Sequence, residues 1–156
     1  AERYLKVNNL SLENLPEDLV VNTHICRGNY HSTYASSGPY DKVAPYVFAQ
    51  EKVESFYLEY GDKRSGNFTS LKEIPRGKKV VLGLITSKRP ELESKELVKR
   101  RIYEASQYVP LRDLYLSPQC GFASCEIGNK LTEEEQFAKL RLVKEIAEEV
   151  WGAEEA

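Results

Sequence analysis

The stretch THICRGNYHSTY, residues 23–34, places a histidine and a cysteine two positions apart in a chain with only 2 His and 3 Cys among 156 residues. Side chains at positions i and i+2 of a β-strand point to the same face, so we expect His24 and Cys26 to project together. Imidazole nitrogen and thiolate sulfur are both zinc ligands, and the pair therefore indicates part of a metal site. The alternative is that the two are unrelated, because cysteine is also common as a small buried hydrophobic residue.

A carboxylate and a second thiol supply the partners that such a site needs. Glu59 lies in YLEYGD and Cys120 in YLSPQC, each near the end of a segment with strand composition. Zn²⁺ binds nitrogen, sulfur and oxygen ligands in tetrahedral geometry, and two thiolates favour zinc over magnesium or calcium. Cys125 competes with Cys120 as a ligand, but it lies further into the loop, and we interpret it as a bystander.

The spacing of these four residues is typical of a catalytic zinc site rather than a structural one. Structural sites usually close on short knuckles such as Cys-x₂-Cys, whereas these ligands are spread over about 100 positions. Glu59 would be the ligand that a substrate can displace. A zinc ion with two thiolates and a replaceable position suits the activation of a substrate thiol, because the metal lowers the pKa of that thiol.

Segments with strand and helix character alternate along the chain. Apolar runs ended by Gly, Pro or Asn predict four strands, and apolar residues recurring every three or four positions predict helices. In the long last helix, Thr132 and Glu135 match a capping box, and its apolar stripe is predicted to include Phe137 and Leu140. The predicted strands are 18–26, 55–60, 78–87 and 113–120, and the predicted helices are 40–50, 90–109 and 131–152.

This alternation predicts an α/β fold with parallel strands. Each strand–helix unit takes roughly 30–40 residues, so the chain holds about four of the eight units of a (β/α)₈ TIM barrel. An open four-stranded α/β sheet is the other interpretation. In either fold the active site lies at the C-terminal ends of the strands, where His24, Cys26, Glu59 and Cys120 are all predicted to lie.

Composition excludes several classes of function. The net charge is −2, with acidic and basic residues interspersed, which is unlike the basic patch that nucleic-acid binding requires. No apolar run reaches the ~20 residues that span a membrane, and no signal segment opens the chain. Three cysteines argue against a disulfide scaffold. We therefore expect a cytoplasmic protein that binds neither nucleic acid nor membrane.

Five segments carry a resemblance to a known family. They resemble the C-terminal half of the cobalamin-independent methionine synthases, and more narrowly the shorter, single-barrel branch of that family. The match covers nearly the whole chain, and the metal-binding residue types occur in the order of the family. The segments are THICRGNYHSTYASSGPYD, FYLEYGDKRSGNF, KKVVLGLITSKRPELE, YVPLRDLYLSPQCGFAS and LTEEEQFAKLRLVKEIAEEVWG.

The resemblance implies a catalytic zinc ion held by His24, Cys26, Glu59 and Cys120. It implies a methyltransferase that moves a methyl group to the thiol of homocysteine and forms methionine. It also implies that residues 1–156 are a single partial barrel domain with strands five to eight and their helices. A related zinc alkyltransferase acting on another thiol, such as coenzyme M, and a non-catalytic half-barrel are the alternatives.

Other site residues are predicted with less support from the pattern. Long members of the family carry a histidine, thought to donate a proton, just after the third of these strands, and Lys88 occupies about that place. Lys88 and His31 are thus the candidate catalytic acids. Arg27, Arg64 and Ser87 are predicted substrate contacts, with the two arginines attracting an anion to the barrel rim. The methyl donor is a folate or another molecule.

A partner is also expected. In the family, contacts to the amino and carboxylate groups of homocysteine come largely from strands that precede those found here. Four strand–helix units leave strand edges unpaired, and unpaired edges promote association. We therefore predict pairing with an N-terminal half-barrel, or self-association of two copies of the chain.

Overall fold

A parallel sheet of four strands, in the order β1-β2-β3-β4, forms the centre of the fold. The computed structural model describes residues 1–61 and 65–152. Two short 3₁₀ helices, Thr69–Glu73 and Leu111–Asp113, precede β3 and β4. The strands are β1 (Asn22–Ile25), β2 (Ser55–Glu59), β3 (Lys79–Ile85) and β4 (Leu114–Pro118), and the helices are α1 (Glu2–Ser11), α2 (Val47–Gln50), α3 (Lys95–Ala105) and α4 (Glu133–Trp151).

The α/β class and the parallel order confirm the fold expected from the sequence. All four predicted strands are present, each shorter than predicted by one to five residues. Strands and helices alternate in the described residues, except that the connection from β2 to β3 contains a 3₁₀ helix and no described α-helix. The segment before β1 contains helix α1.

The core lies between one face of the sheet and the helices. Strand residues that point to this face are fully buried, and they pack against apolar residues of α2, α3 and α4. Such burial removes apolar surface from water at about 25 cal/mol per Å², the main driving force for folding. The strand members of this layer are Phe56, Leu58, Val80, Leu82, Leu84 and Leu114, and the helix members are Phe48, Val98, Ile102, Ala105, Leu142 and Ile146.

The opposite face of the sheet is the inner face. His24, Tyr57, Val81 and Tyr115 are in register across the four strands, so their side chains share this face. Tyr57 and Tyr115 are 39% and 42% exposed. The inner face thus carries polar and partly exposed aromatic side chains where the core face is fully buried and apolar. The predicted ligands lie at its strand ends.

All three predicted helices differ from the structure, and α3 covers only Lys95–Ala105 of the predicted 90–109. The regular part of the predicted 40–50 helix is only Val47–Gln50, preceded by turns, because Pro45 has no N–H to donate to a helical ladder. In α4 the capping box of Thr132 and Glu135 is confirmed. The predicted stripe is wrong at Phe137 and Leu140, which are 47% and 39% exposed.

The residue buried in their place is Lys139. Its side chain is fully buried and forms an ion pair with Glu93. The buried face of α4 is therefore formed by Lys139, Leu142 and Ile146. None of the helices within residues 1–61 and 65–152 combines the length and apolar content that crossing a membrane requires.

Candidate metal centre

Four side chains meet at the C-terminal ends of the strands. His24 lies in β1, Cys26 directly follows that strand, Glu59 ends β2, and Cys120 follows β4 by two residues. One ligand atom from each lies within 4.8 Å of the ligand atoms of the other three. The structure therefore brings together all four predicted metal ligands, and Cys125 is not among them.

The distances within this group are close to those around a small tetrahedral ion. His24 Nε2 lies 3.3 Å from Glu59 Oε1, and the sulfurs of Cys26 and Cys120 are 3.3 Å apart. Two ligands bound at about 2.0–2.3 Å around a tetrahedral zinc ion lie about 3.3–3.8 Å apart. The Cys120 thiol donates to Glu59 Oε1 at 2.6 Å, a contact that a metal bound between them would replace. The donor set thus fits zinc in chemistry, and the two sulfurs and the thiol–carboxylate pair would have to move apart to hold it.

The surroundings favour an ionised Glu59 carboxylate and a protonated Cys120 thiol as long as the thiol donates to the carboxylate. Burial alone would raise the pKa of Glu59, but hydrogen bonds with His24 and Cys120 and the charge of Lys88 lower that pKa to about 2. Burial, together with the hydrogen bonds to Glu59 and Cys26, raises the pKa of the Cys120 thiol. A bound cation must therefore displace a proton from Cys120, which is the usual coupling of metal binding to proton release.

An unusual backbone conformation carries Cys120 into the group. Its φ is 53°, in the left-handed region that non-glycine residues seldom adopt. The preceding residue, Gln119, is buried and bonds its backbone N–H to Ile85 O at 2.7 Å. A Cβ at Gly61 would lie 2.1 Å from Gln119 Nε2, so a larger residue there would displace the Gln119 amide. The buried glutamine thus anchors the turn that presents the thiol.

The loops after β1 and β4 bind each other across the mouth of the sheet, although these strands are its two outer members. Asn29 Nδ2 donates to Gly121 O and Ser124 Oγ, and Lys130 N donates to Ser32 Oγ. These bonds bring residues nearly 100 positions apart in sequence into contact. They explain how Cys26 and Cys120 meet without adjacent strands.

The two predicted catalytic acids occupy different places. Lys88 is only 8% exposed, and its Nζ lies 3.5 Å from Cys120 Sγ. His31 bonds through Nδ1 to Gly128 O at 3.1 Å, in the bridge between the loops, and is not part of the ligand group. Proximity to the thiol supports Lys88 over His31, and the catalytic role of each stays a prediction.

The predicted substrate contacts are engaged within the protein. Arg27 is 8% exposed, and its guanidinium donates to Gly38 O, Tyr40 Oη and Glu59 O. Ser87 is fully buried, and its hydroxyl donates to Gln119 O at 2.7 Å. Arg64 lies outside the described residues. These contacts indicate supporting roles for Arg27 and Ser87, while substrate contact by any of the three stays a prediction.

Sequence reasoning missed Tyr40 and Gln119, which hold the ligand-bearing strand ends. Tyr40 stands in a Gly-Pro-Tyr-Asp turn, and Gln119 stands between a proline and a cysteine. Neither position carries a periodic signal, because their partners are backbone atoms distant in sequence.

A cavity of about 350 Å³ opens beside the ligand group on the inner face. Its lining includes His24, Glu59 and Cys120 together with Tyr57 and Ser117. This volume lies at the small end of the range for small-molecule sites. The arrangement therefore places three candidate metal ligands in the wall of a space that a small thiol would fit.

Comparisons with known proteins agree with this geometry. The Bacillus subtilis protein YxjG, described as uncharacterized, is 53% identical over 149 residues, which is 95% of this chain and 39% of that protein. A Listeria monocytogenes structure, described as a candidate vitamin-B12 independent methionine synthase, matches with 38% identity and a TM-score of 0.75 over 97% of this chain and 41% of that one.

A more distant structure shares the fold. The B12-independent methionine synthase of Shewanella sp. W3-18-1, in complex with selenomethionine, matches at 23% identity with a TM-score of 0.76, over 94% of this chain and 42% of that one. The chain thus spans about two fifths of the length of these relatives. The family model described as the catalytic domain of cobalamin-independent synthases matches residues 7–149. With nearly its whole length matched, the chain belongs to the family of cobalamin-independent synthase catalytic domains.

Proposed function

We propose that the chain binds a catalytic zinc ion and serves the transfer of a methyl group to the thiol of homocysteine, forming methionine. The observation that carries this proposal is the convergence of His24, Cys26, Glu59 and Cys120, whose ligand atoms all lie within 4.8 Å of one another. Membership of the cobalamin-independent synthase family supports the reaction class.

The four side chains would hold the metal, and each contributes according to its chemistry. Zinc, when bound, lowers the pKa of a thiol so that it is a thiolate nucleophile at neutral pH. Glu59 is the one oxygen donor of the set, and it would be the ligand whose place a substrate sulfur could take. Lys88 holds a positive charge beside Cys120 and offsets the negative charge that collects on two thiolates and a carboxylate.

The cavity beside the metal ligands is the proposed place for the homocysteine side chain. Its walls include the polar inner-face residues Asn22 and Ser117 and the ring of Tyr57. The methyl donor, a folate or another methylated molecule, would approach the same sulfur from the open side of the inner face. The sulfur forms the new bond to carbon, and the donor keeps the electron pair of the bond that breaks.

A second set of strand–helix units is the proposed partner. In the described sheet β1 and β4 are the edge strands, and the inner face carries the partly exposed Tyr57 and Tyr115. Parallel sheets ordinarily have both faces covered. A second half-barrel, either a copy of this chain or an N-terminal half, would cover this face and add contacts to the amino and carboxylate groups of the substrate.

Zinc content is the direct test of the proposed site. We expect the purified chain to hold close to one zinc ion, and Cys120→Ser to lose it, because a hydroxyl is a poor substitute for a thiolate ligand. Cys125→Ser is the matched control, since that cysteine is free and outside the ligand group, and it should keep its zinc. Full zinc occupancy in Cys120→Ser would reject this ligand assignment.

Methyl transfer separates the candidate thiols. With a methylated donor present, we expect loss of free homocysteine thiol and formation of methionine, both dependent on Cys120. Transfer to coenzyme M in place of homocysteine would assign the site to another zinc alkyltransferase. A zinc-loaded chain that transfers to neither thiol, alone or with an added N-terminal half-barrel, would favour the non-catalytic alternative.

A further inference from the structure

The Tyr40 hydroxyl joins the ends of β1 and β2. It donates to Ile25 O at 2.9 Å and accepts from the backbone N–H of Glu59 at 2.9 Å. It also accepts from Arg27 Nη1 at 2.8 Å. A phenolic hydroxyl has one proton to donate and lone pairs to accept, so this oxygen is fully used by three partners. Two of those partners are backbone atoms of, or beside, predicted metal ligands.

The Arg27 guanidinium extends the same network. Nη1 donates to Glu59 O at 2.8 Å, while Nε and Nη2 donate to Gly38 O at 3.0 and 2.7 Å. The guanidinium carbon lies 4.0 Å from the centroid of the Tyr40 ring. Only the planar fork of arginine reaches all these acceptors at once, because an ammonium group is a single compact centre. Both side chains are buried, at 8% exposure for Arg27 and 4% for Tyr40.

These contacts involve the backbone of the predicted metal ligands or of residues beside them. Ile25 is the residue between His24 and Cys26. Glu59 donates through its backbone N–H to Tyr40 Oη and accepts at its C=O from Arg27 Nη1. The Arg27 backbone N–H also lies 3.4 Å from Glu59 Oε2. The network therefore fixes the backbone at the level of three ligands, where regular pairing of β1 with β2 has ended at Ile25 and Leu58.

We propose that Tyr40 and Arg27 are positioning residues for the metal centre: together they clamp the two strand ends so that His24, Cys26 and Glu59 present their ligand atoms at metal-binding separation. The clamp rests on the proposed function, because it acts through the zinc ligands. It assigns to Arg27 a role in the site that does not require contact with substrate. Supporting residues of this kind typically change metal affinity 10–100-fold when they are mutated.

Tyr60 supplies a matched control within the same aromatic cluster. Its ring centroid lies 5.3 Å from that of Tyr40, and its side chain is equally buried at 1% exposure. Its hydroxyl pairs with Ser70 Oγ at 2.8 Å and not with the backbone of a ligand. Tyr60→Phe therefore removes a buried hydroxyl and its hydrogen bond while leaving the clamp in place.

The test compares zinc affinity among the wild-type chain, Tyr40→Phe and Tyr60→Phe by competition with a chromophoric chelator. We expect Tyr40→Phe to bind zinc at least tenfold more weakly than wild type, and Tyr60→Phe to stay within about twofold. With Co²⁺ in place of zinc, the visible spectrum of Tyr40→Phe should shift, because the coordination geometry relaxes. Equal affinities and spectra in the two variants would overturn the clamp.

Separate control experiments test the folding of the variants and the presence of the metal site. Urea unfolding of the metal-free chains should show that the two Tyr→Phe variants lose similar amounts of the free energy of unfolding. If Tyr40→Phe does not fold, Arg27→Lys takes its place in the test, and we expect it to bind zinc about tenfold more weakly than wild type. Wild-type zinc affinity in Arg27→Lys would reject the clamp. A wild-type chain that binds no zinc would reject the proposed function, whereas zinc binding unaffected by these variants would reject the clamp alone.

Discussion

At the scale of single residues, Lys88 is a buried cation beside the candidate ligand Cys120. We expect Lys88→Met to weaken zinc binding about tenfold, because its ammonium group lies 3.5 Å from Cys120 Sγ and offsets the charge of the ligand set. Lys88→Arg keeps the charge and should retain most of the affinity. Chelator competition measures both variants.

The neighbouring residue provides the control for charge. Arg89 is exposed, and Arg89→Met changes the net charge of the chain by the same amount as Lys88→Met. We expect its zinc affinity to match wild type. Equal losses in the two variants would show that total charge, and not the position of Lys88, governs metal binding.

The sequence predicted which side chains meet at the candidate metal centre but not which residues support them. The i, i+2 rule and the parallel order of the strands were sufficient to place His24, Cys26, Glu59 and Cys120 together. Arg27 was predicted as an anion contact because it lies near the predicted mouth of the barrel. Its burial depends on Gly38 O and Tyr40 Oη, more than ten positions away, and no local pattern encodes those contacts.

At the scale of elements, a buried ion pair connects α4 to the loop between β3 and α3. Lys139 Nζ lies 3.2 and 3.1 Å from the two carboxylate oxygens of Glu93, and Glu93 also accepts from the backbone N–H of Thr86. That loop contains Ser87 and Lys88. The pair therefore ties the long helix to the segment that places a cation beside Cys120.

Removing one partner of the Glu93–Lys139 ion pair should destabilise the fold. We expect Glu93→Ala to lower the free energy of unfolding by about 3–5 kcal/mol, because the fully buried ammonium of Lys139 loses its counter-charge. Urea unfolding of the metal-free chain measures this loss. The double variant Glu93→Ala, Lys139→Met should recover part of it, since no uncompensated charge then remains.

An exposed pair on the same helix is the control. Lys144 and Glu148 lie 3.5 Å apart with side chains 76% and 42% exposed. Lys144→Met should cost less than about 1 kcal/mol, as is usual for surface ion pairs. A loss of that small size in Glu93→Ala would contradict the anchoring role of Lys139.

The same helix shows what local sequence predicts about an element. Thr132 and Glu135 determine where α4 begins, and both capping bonds are present because they depend only on residues three apart. Which face of α4 is buried depends on Glu93, which is 46 positions away from Lys139. Helical periodicity therefore predicted the existence of α4 correctly and the identity of its buried stripe only in part.

At the scale of the whole molecule, the two faces of the sheet differ in what covers them. The helices pack on the face formed by Phe56, Leu82 and Leu114, whereas the inner face exposes Tyr57 and Tyr115. The strand ends that carry the ligands belong to the inner face, so whatever covers this face also closes the proposed substrate site. The sequence predicted four strand–helix units and edge strands, but not how exposed each tyrosine is.

Self-association through the inner face is the expected behaviour of the chain alone. Light scattering coupled to size exclusion should give twice the mass of one chain, because the edge strands and inner-face tyrosines become buried in a second copy. Tyr115→Lys should shift this equilibrium to monomer, since association would bury the new charge beside Lys79, whose Nζ is 5.9 Å from the centroid of the Tyr115 ring.

Tyr108→Lys is the matched control for this shift, because Tyr108 is also 42% exposed and lies beyond the end of α3 rather than in the sheet. Its mass should equal that of the wild-type chain. A wild-type chain that stays a monodisperse monomer over a hundredfold range of concentration would reject self-association. An added N-terminal half-barrel that then forms a one-to-one complex, lost in Tyr115→Lys, would identify that half as the partner of the inner face.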